Sequence, residues 1–307
     1  MIRLDRIEKT FRTDFLRRRR PALRGLSLHV RRGETYALLG ANGAGKTTTM
    51  KILLDLIRPD RGTAEVNGVS TRDPRSRARL GYLPEHPYFF PHLTGGELVR
   101  YYGRLSGLDR GEAERSARRW IERMGLSKAE HRRVLTYSKG MLQRIGFAQA
   151  LVAGPEILVL DEPLSGLDPI GRKELRELMQ ELKGEGVTML LSSHILEDVE
   201  RICDRAGFLV DGRIVREVEG SEARWIEVSA EGFDPEALRA GDTAAERIVR
   251  VGEAVRIALR REEDLPRLRE RVAVAGGRIT AVETRRESLE QLYVENVQAR
   301  VTAVDRA

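Results

Sequence analysis

The segment from Gly40 to Thr47 reads GANGAGKT, which has the spacing of a phosphate-binding loop, G-x-x-x-x-G-K-[ST]. In such a loop the glycines let main-chain amides curve around phosphates, Lys46 reaches the β- and γ-phosphates, and the Thr47 hydroxyl ligates Mg²⁺. ETYALLG before the loop is typical of a strand and TTTMKILLDLI after it of a helix, which is the context this chemistry needs. The predicted nucleotide contacts are Gly40, Asn42, Gly43, Gly45, Lys46, Thr47 and Thr48.

Three further side chains that could take part in catalysis or metal binding follow short apolar segments. EILVLDEP ends in Asp161 and Glu162, and VTMLLSSH ends in His194. Asp161 suits the water shell of Mg²⁺, and Glu162 suits the polarisation of an attacking water. His194 is either structural or a γ-phosphate ligand, because the carboxyl ends of parallel strands meet where ligands gather. The sequence therefore predicts a magnesium–nucleotide site at one edge of a sheet.

A second anion-binding helix start is predicted about ninety residues beyond the first. In LTYSKGMLQRIGFAQAL, the turn-forming Ser138, Lys139 and Gly140 precede an apolar pattern of helical period. The free amides at such a start favour a negatively charged group. One chain thus carries two helix starts that suit phosphate.

The elements that must position these residues follow an α/β order. Short strands open the chain, helices dominate residues 87–150, and the apolar strands around Asp161 and His194 flank an amphipathic helix, as in a βαβ unit. After Gly220 the composition changes to strands, one helix, a strand and a last helix, with no glycine-rich loop or histidine cluster. We expect an α/β nucleotide-binding domain over residues 1–220 and a small α+β accessory domain over residues 221–307.

Composition sets limits on the class of protein. The 307 residues contain 54 Lys and Arg against 47 Asp and Glu, and Cys203 is the single cysteine, which excludes an internal disulfide. No apolar run approaches the roughly 18–20 residues of a membrane span, and the N-terminus lacks the core of a signal peptide, so we expect a cytoplasmic protein. Arg17 to Arg20 form either a solvated loop or a contact for anionic lipid or a partner. No nucleic-acid ligand is expected, because no aromatic residues interleave with these arginines.

Taken in order, these motifs resemble the nucleotide-binding subunit of an ATP-binding-cassette (ABC) transporter over residues 2–220. GYLPE occupies the family's Q-loop, YSKGM the signature, ILVLDE the Walker B strand, SGLD the D-loop and His194 the switch histidine. The resemblance implies a P-loop NTPase cassette: a RecA-like core, an antiparallel β subdomain and a helical subdomain. It also implies head-to-tail dimers in which Ser138 and Gly140 serve the partner's ATP, and it adds Glu85 as a metal and nucleotide contact and Asp168 as a nucleotide contact.

The resemblance further implies a separate membrane permease that holds the chain at the inner face of the membrane. The departures YSKGM and Glu85, where the family has L-S-G-G-Q and glutamine, are similar to ATPases of ABC-2-type export systems. Phe11 matches the adenine-stacking position, although strand packing is the alternative. The segment from Glu85 to Phe90 matches the groove for the permease, although its aromatic residues also suit the core of the helical subdomain. The rival functions are a regulatory ATPase that signals to a membrane complex, and a soluble cassette that acts on DNA or ribosomes.

Overall fold

The polypeptide divides into two units, residues 1–220 and 221–307. The computed structural model describes residues 1–12, 19–219, 224–239, 245–252, 254–259 and 262–286. In chain order the strands are β1 (Ile2–Arg12), β2 (Arg19–Val30), β3 (Thr35–Leu39), β4 (Arg61–Val66), β5 (Val69–Ser70), β6 (Leu80–Leu83), β7 (Ile157–Leu160), β8 (Thr188–Ser193), β9 (Arg205–Val210), β10 (Arg213–Glu219), β11 (Arg224–Glu231), β12 (Ala245–Val251), β13 (Ala254–Leu259) and β14 (Arg278–Arg286). The α-helices are α1 (Lys46–Leu53), α2 (Gly95–Leu105), α3 (Arg110–Arg123), α4 (Lys139–Leu151), α5 (Pro169–Gly184), α6 (Leu196–Ile202), α7 (Glu236–Arg239) and α8 (Leu265–Val274).

An antiparallel sheet opens the first unit, with strand order β2-β1-β4-β5. Ile2, Leu4 and Ile7 are buried on one face of β1, where they join the apolar core shared with β3 and α1. A register shift between Leu4 and Ile7, with Arg6 at φ 46°, keeps Ile7 on that face despite the odd spacing. Near its end β1 places Phe11 opposite Arg20 of β2.

A six-stranded sheet, ordered β10-β9-β3-β8-β7-β6, forms the centre of the first unit. Its strands β6, β7, β8, β3 and β9 pair in parallel, and every residue of β3, β7 and β8 is buried. Strands covered on both faces read as continuous apolar runs, which explains why ILVL and TMLLSS show no alternation. Because the strands are parallel, the segments that follow β3, β6, β7 and β8 all emerge at one edge of the sheet.

The helices of residues 95–151 form a separate layer. Thr94 with Glu97 and Asp109 with Glu112 build capping boxes that fix the starts of α2 and α3. Both helices contact α4, the helix that follows the YSK turn. The α-helices of this region span Gly95–Leu105, Arg110–Arg123 and Lys139–Leu151, and the bounds 87–150 of a helical subdomain stay a prediction.

The second unit contains an antiparallel sheet ordered β12-β13-β11-β14. Alternate residues of β11 and β13 point into a core that also receives Leu268 and Val272 from α8. The predicted final helix, SLEQLYVENVQ, lies outside the described residues. Among the residues that the structure describes, no helix combines the length and the apolar character needed to cross a bilayer.

Candidate active site

The loop from Gly40 to Gly45 links β3 to α1 and forms the floor of a cavity of about 280 Å³. Gly43 and Gly45 adopt φ values of 85° and 115°, which residues with a β-carbon rarely adopt. A β-carbon on Gly45 would lie 2.8 Å from Ala22 O, so this position also has no space for one. The cavity is lined by Ala41, Asn42, Gly43, Gly45, Lys46, Thr47, Thr48, Glu85, Asp161 and Glu162. The structure thus brings together most of the side chains that the sequence predicts for the nucleotide and the metal.

Lys46 is held by groups of the loop and of the sheet edge. Its Nζ donates a hydrogen bond to Gly40 O at 2.6 Å and lies 3.5 Å from Glu162 Oε1. Both side chains are buried, with 7% and 9% of their surface exposed. The ammonium group therefore already has a carboxylate partner, and a phosphate would have to replace that partner.

Asp161 follows β7 and is 1% exposed. Its Oδ1 accepts a hydrogen bond from Ser192 Oγ at 2.6 Å, whereas Oδ2 is buried and has no hydrogen-bond partner among the described residues. An unpartnered buried carboxylate oxygen costs free energy unless a cation or a donor meets it. Thr47 and Glu85 line the same cavity, so the available oxygen ligands suit Mg²⁺.

The described residues contain no group of three or more His, Cys, Asp or Glu side chains able to hold a metal. Mg²⁺ is usually held by one or two carboxylates together with waters and substrate phosphates. Asp161 with the Thr47 hydroxyl fits that pattern, in which the nucleotide completes the coordination.

Glu162 has an unusual main-chain conformation for a glutamate, with φ at 49°. Its N–H donates to Ser192 Oγ at 2.8 Å, and its Oε2 lies 2.8 Å from His194 Nδ1. A carboxylate can only accept, so Nδ1 of His194 carries the proton of this hydrogen bond. The structure therefore joins Glu162, His194 and Lys46 in one network, although His194 does not line the cavity.

Ser138, Gly140 and Asp168 are not among the residues that line the cavity. Ser138 is the N-cap of α4 and accepts from Met141 N–H at 3.3 Å. A β-carbon on Gly140 would lie 3.7 Å from Leu167 Cδ2, so the start of α4 contacts the SGLD turn of the same chain. Asp168 Oδ1 accepts from Gly171 N–H at 2.9 Å as the N-cap of α5, which occupies one of its two carboxylate oxygens.

Phe11 is 38% exposed near the end of β1, with Lys9 Nζ 5.7 Å from the centre of its ring. Arg20, opposite Phe11 in the sheet, reaches the phosphate loop: its Nη2 lies 3.4 Å from where a β-carbon on Gly43 would be. Arg17 and Arg18, and the side chain of Arg19, lie outside the described part of the chain. The sequence analysis treated Arg20 only as one of four consecutive arginines. Its position opposite Phe11 in the sheet distinguishes it from the other three.

The segment from Glu85 to Phe90 divides between the cavity and the surface. Glu85 lines the cavity, while Tyr88 and Phe90 are 94% and 44% exposed. Phe89 packs edge-on against Tyr102 of α2 with ring centres 6.3 Å apart, and Phe90 packs edge-on against Tyr101 of the same helix at 5.6 Å. Part of the aromatic cluster thus belongs to the packing of the helices, and part of it faces outward.

Two polar residues beside Glu162 were missed by the sequence reasoning. Ser192 bridges Asp161 and the main chain of Glu162. Gln143 of α4, which is 3% exposed, donates from Nε2 to Pro163 O at 2.7 Å and to Glu162 O at 3.5 Å. A glutamine within the apolar pattern of α4 is the signal that could have identified the second of these residues. The roles of all these site residues remain predictions.

Comparisons with known proteins show which family this chain resembles. A family model described as ABC transporter matches residues 23–165. An uncharacterised ABC transporter ATP-binding protein of Nostoc sp. is 37% identical over 306 residues, which cover 97% of this chain and 90% of that protein. The bacitracin transport ATP-binding protein BcrA of Enterococcus faecalis is 40% identical over 200 residues, 64% of each chain. The ATP-binding cassette MJ0796, solved as a dimer in a post-hydrolysis state with ADP and Pi, shares the fold with a TM-score of 0.67 at 23% identity, covering 72% of this chain and 99% of that one.

Proposed function

The chain belongs to the ATP-binding proteins of ABC transporters, and on that premise we propose that it drives a separate membrane permease, of the ABC-2 export type, by ATP-dependent closure of a head-to-tail dimer. As a member of this family it is an ATPase with the cassette fold. The permease, the export direction and the homodimer are the proposed parts. The chain itself is proposed to act on the cytoplasmic side, held at the membrane by the permease.

The observation that carries the proposal is the separation of two half-sites within one chain. The first half-site, the cavity over the phosphate loop, contains the groups suited to ATP and Mg²⁺. The second half-site, Ser138 to Gly140 at the start of α4, offers free helix amides but does not line that cavity. A second copy arranged head to tail would bring each start of α4 to the other copy's nucleotide, so ATP itself would join the two chains.

The charged residues of the cavity, and His194 beside it, have proposed tasks that follow from their contacts. Lys46 would exchange Glu162 for the β- and γ-phosphates, which releases the carboxylate for its own role. Glu162 would then accept a proton from the attacking water, and His194 would hold Glu162 in place through its Nδ1–H. Mg²⁺ bound by Asp161 and the Thr47 hydroxyl would neutralise negative charge on the phosphates as it develops.

Two residues of the antiparallel sheet are also proposed to contact the nucleotide. Phe11 is exposed enough to stack on a base, and Arg20 beside it lies next to Gly43 of the phosphate loop. We therefore include Arg20 among the groups that would contact the nucleotide. Ser138 and Gly140 would contact the partner's nucleotide, while Asp168 has one carboxylate oxygen left beside its capping bond.

The permease is proposed to dock at the aromatic surface formed by Tyr88 and Phe90. Phe90 packs against Tyr101, itself 41% exposed, with ring centres 5.6 Å apart, and Tyr88 is exposed two residues earlier. A cluster of exposed aromatic side chains, unlike a single exposed apolar residue, is typical of a surface that a partner covers. The similarity to BcrA, which is named as a bacitracin transport ATP-binding protein, supports a transport role for this chain. The YSKGM and GYLPE motifs of this chain support the ABC-2 type.

The test is recovery of the tagged full-length chain from membranes of its native host. We expect wild type to copurify with an integral membrane protein and Tyr88→Ser/Phe90→Ser to lose it, while both bind ATP equally. Leu56→Ala is the matched control, because Leu56 is also a strongly exposed apolar residue, at 63%, just beyond the end of α1. If wild type copurifies with no membrane protein, or if the double variant is retained as well as the control, the proposal is wrong.

A further inference from the structure

Gln143 is a polar side chain buried in the helix that begins at the second half-site. It lies five residues after Ser138, about 7.5 Å along the axis of α4. Its amide donates to the carbonyls of two successive residues, Pro163 at 2.7 Å and Glu162 at 3.5 Å. The Nε2 group of the side-chain amide is thus directed at the turn that carries the proposed general base.

That turn depends on outside support. Glu162 adopts φ 49°, a conformation that non-glycine residues keep only where the surroundings enforce it. Ser192 accepts from the N–H of Glu162, and Ser165 N–H donates back to Glu162 O at 3.1 Å. Pro163 has no N–H of its own to bond. Gln143 supplies side-chain donation from a helix to the main-chain carbonyls of this turn, at Glu162 and Pro163.

An apolar residue would satisfy the packing of α4 at this buried position, since its neighbours Ile145, Phe147 and Ala148 are apolar and buried. A buried amide costs free energy unless its hydrogen bonds are made, so a glutamine here is explained by the groups to which it donates. Those groups are main-chain carbonyls of the Glu162 turn, and the hydrogen bonds therefore connect the first turns of α4 to that turn. A shift of α4 would therefore pull on the carbonyls that orient the carboxylate.

We propose that Gln143 is a positioning residue that fixes the main chain of Glu162 and thereby couples the second half-site of a chain to hydrolysis at its own first half-site. This inference rests on the proposed roles of Glu162 and of Ser138. It needs no permease, so failure of the membrane experiment above leaves it testable.

The experiment compares ATP turnover by the full-length wild type, Gln143→Leu, Glu162→Gln and the double variant, measured as steady-state and single-turnover phosphate release. Leucine preserves the side-chain volume and removes the donor. We expect Gln143→Leu to lower kcat by about 10- to 100-fold, since a small misplacement of a catalytic group costs about that much, with KM for ATP within twofold of wild type. In the Glu162→Gln background Gln143→Leu should cause no further loss, because its effect acts through Glu162.

Gln180→Leu is the control. Gln180 of α5 also donates from Nε2 to a main-chain carbonyl, Arg201 O at 3.0 Å, but away from the cavity. We expect it to leave kcat unchanged. An equal loss of turnover from Gln143→Leu in both backgrounds, or an unchanged kcat in the wild-type background, would overturn the proposal.

Gln143→Glu provides a second readout if the leucine variant does not fold. A carboxyl group at this position can donate to Pro163 O only when it is protonated. The ratio of its kcat to that of wild type should therefore rise as pH falls, whereas a purely structural defect predicts a constant ratio. A constant ratio between pH 5 and 8 would contradict the inference.

Discussion

Glu162→Gln tests the centre of the proposed chemistry. Glutamine has the shape of glutamate and can still accept from His194 Nδ1, which lies 2.8 Å from Oε2, but it cannot take up a proton as a carboxylate does. A positioned general base typically contributes about 10²–10⁴ in rate. We therefore expect kcat to fall by at least about 100-fold, which corresponds to about 3 kcal/mol of lost transition-state stabilisation.

The same variant should not weaken ATP binding. Glu162 competes with phosphate for Lys46, and Coulomb's law with an effective dielectric constant of about 20 gives about 5 kcal/mol for unit charges at the observed 3.5 Å. Most of that attraction is offset by the cost of desolvating the pair. Removal of the carboxylate charge should therefore leave a modest net gain, and we expect the Kd for ATP to be unchanged or lower by up to about tenfold.

Calorimetric titration gives the Kd, phosphate release gives kcat, and light scattering detects the dimer that should persist when ATP is bound but not cleaved. Glu156→Gln is the control, because Glu156 lies just before the opposite end of β7 and pairs with Arg79 rather than with the cavity. Turnover of Glu162→Gln within twofold of wild type would remove Glu162 from the role of base. A Kd more than tenfold weaker would show that the pair with Lys46 does not compete with phosphate.

Three further changes test the loop and the second half-site. Lys46→Ala should weaken ATP binding at least tenfold by calorimetry, because the ammonium group that faces the phosphates is lost; wild-type affinity would refute this. Ser138→Arg should bind ATP normally as a monomer but lose ATP-dependent dimerisation measured by light scattering. Mixing it with Lys46→Ala subunits should restore some turnover, because one composite site of the mixed dimer is intact. ATP-dependent dimerisation of Ser138→Arg equal to that of wild type would show that the start of α4 does not contact the partner's nucleotide. Gly45→Ala should lower the free energy of unfolding in urea by at least about 2 kcal/mol, since it combines φ 115° with a 2.8 Å contact to Ala22 O, whereas Gly184→Ala, with open space around it, should not; equal stabilities would contradict the steric argument.

The parts of the site that the sequence predicts are those fixed by local chain order. Lys46, Asp161 and His194 each follow an apolar strand, so a parallel sheet is enough to bring them to one edge. The fold of the first unit was predictable for the same reason, because strand, loop and helix alternate with clear periods. Residues whose partners are distant in sequence were not predictable in this way.

Gln143 and Arg20 show why the rest required the structure. Gln143 acts on carbonyls twenty residues away, and nothing in the period of α4 indicates which turn its amide will meet. Arg20 is distinguished from its neighbours by the register of β1 with β2, which includes shifts that the alternation of the sequence does not reveal.

The left-handed main chain of Glu162 also bears on how this position can change during evolution. Glycine and asparagine adopt φ near 49° more readily than glutamate does, so the main-chain conformation alone would favour either of them at residue 162. Both would remove the carboxylate and leave the buried Lys46 without its ion-pair partner, which costs about 3–5 kcal/mol against about 1–3 kcal/mol of main-chain strain. The pair with Lys46 therefore holds a glutamate in a conformation that its main chain resists. In a copy of this sequence that had also lost Lys46, that restraint would be gone, and we would then expect glycine or asparagine at residue 162 to stabilise the chain.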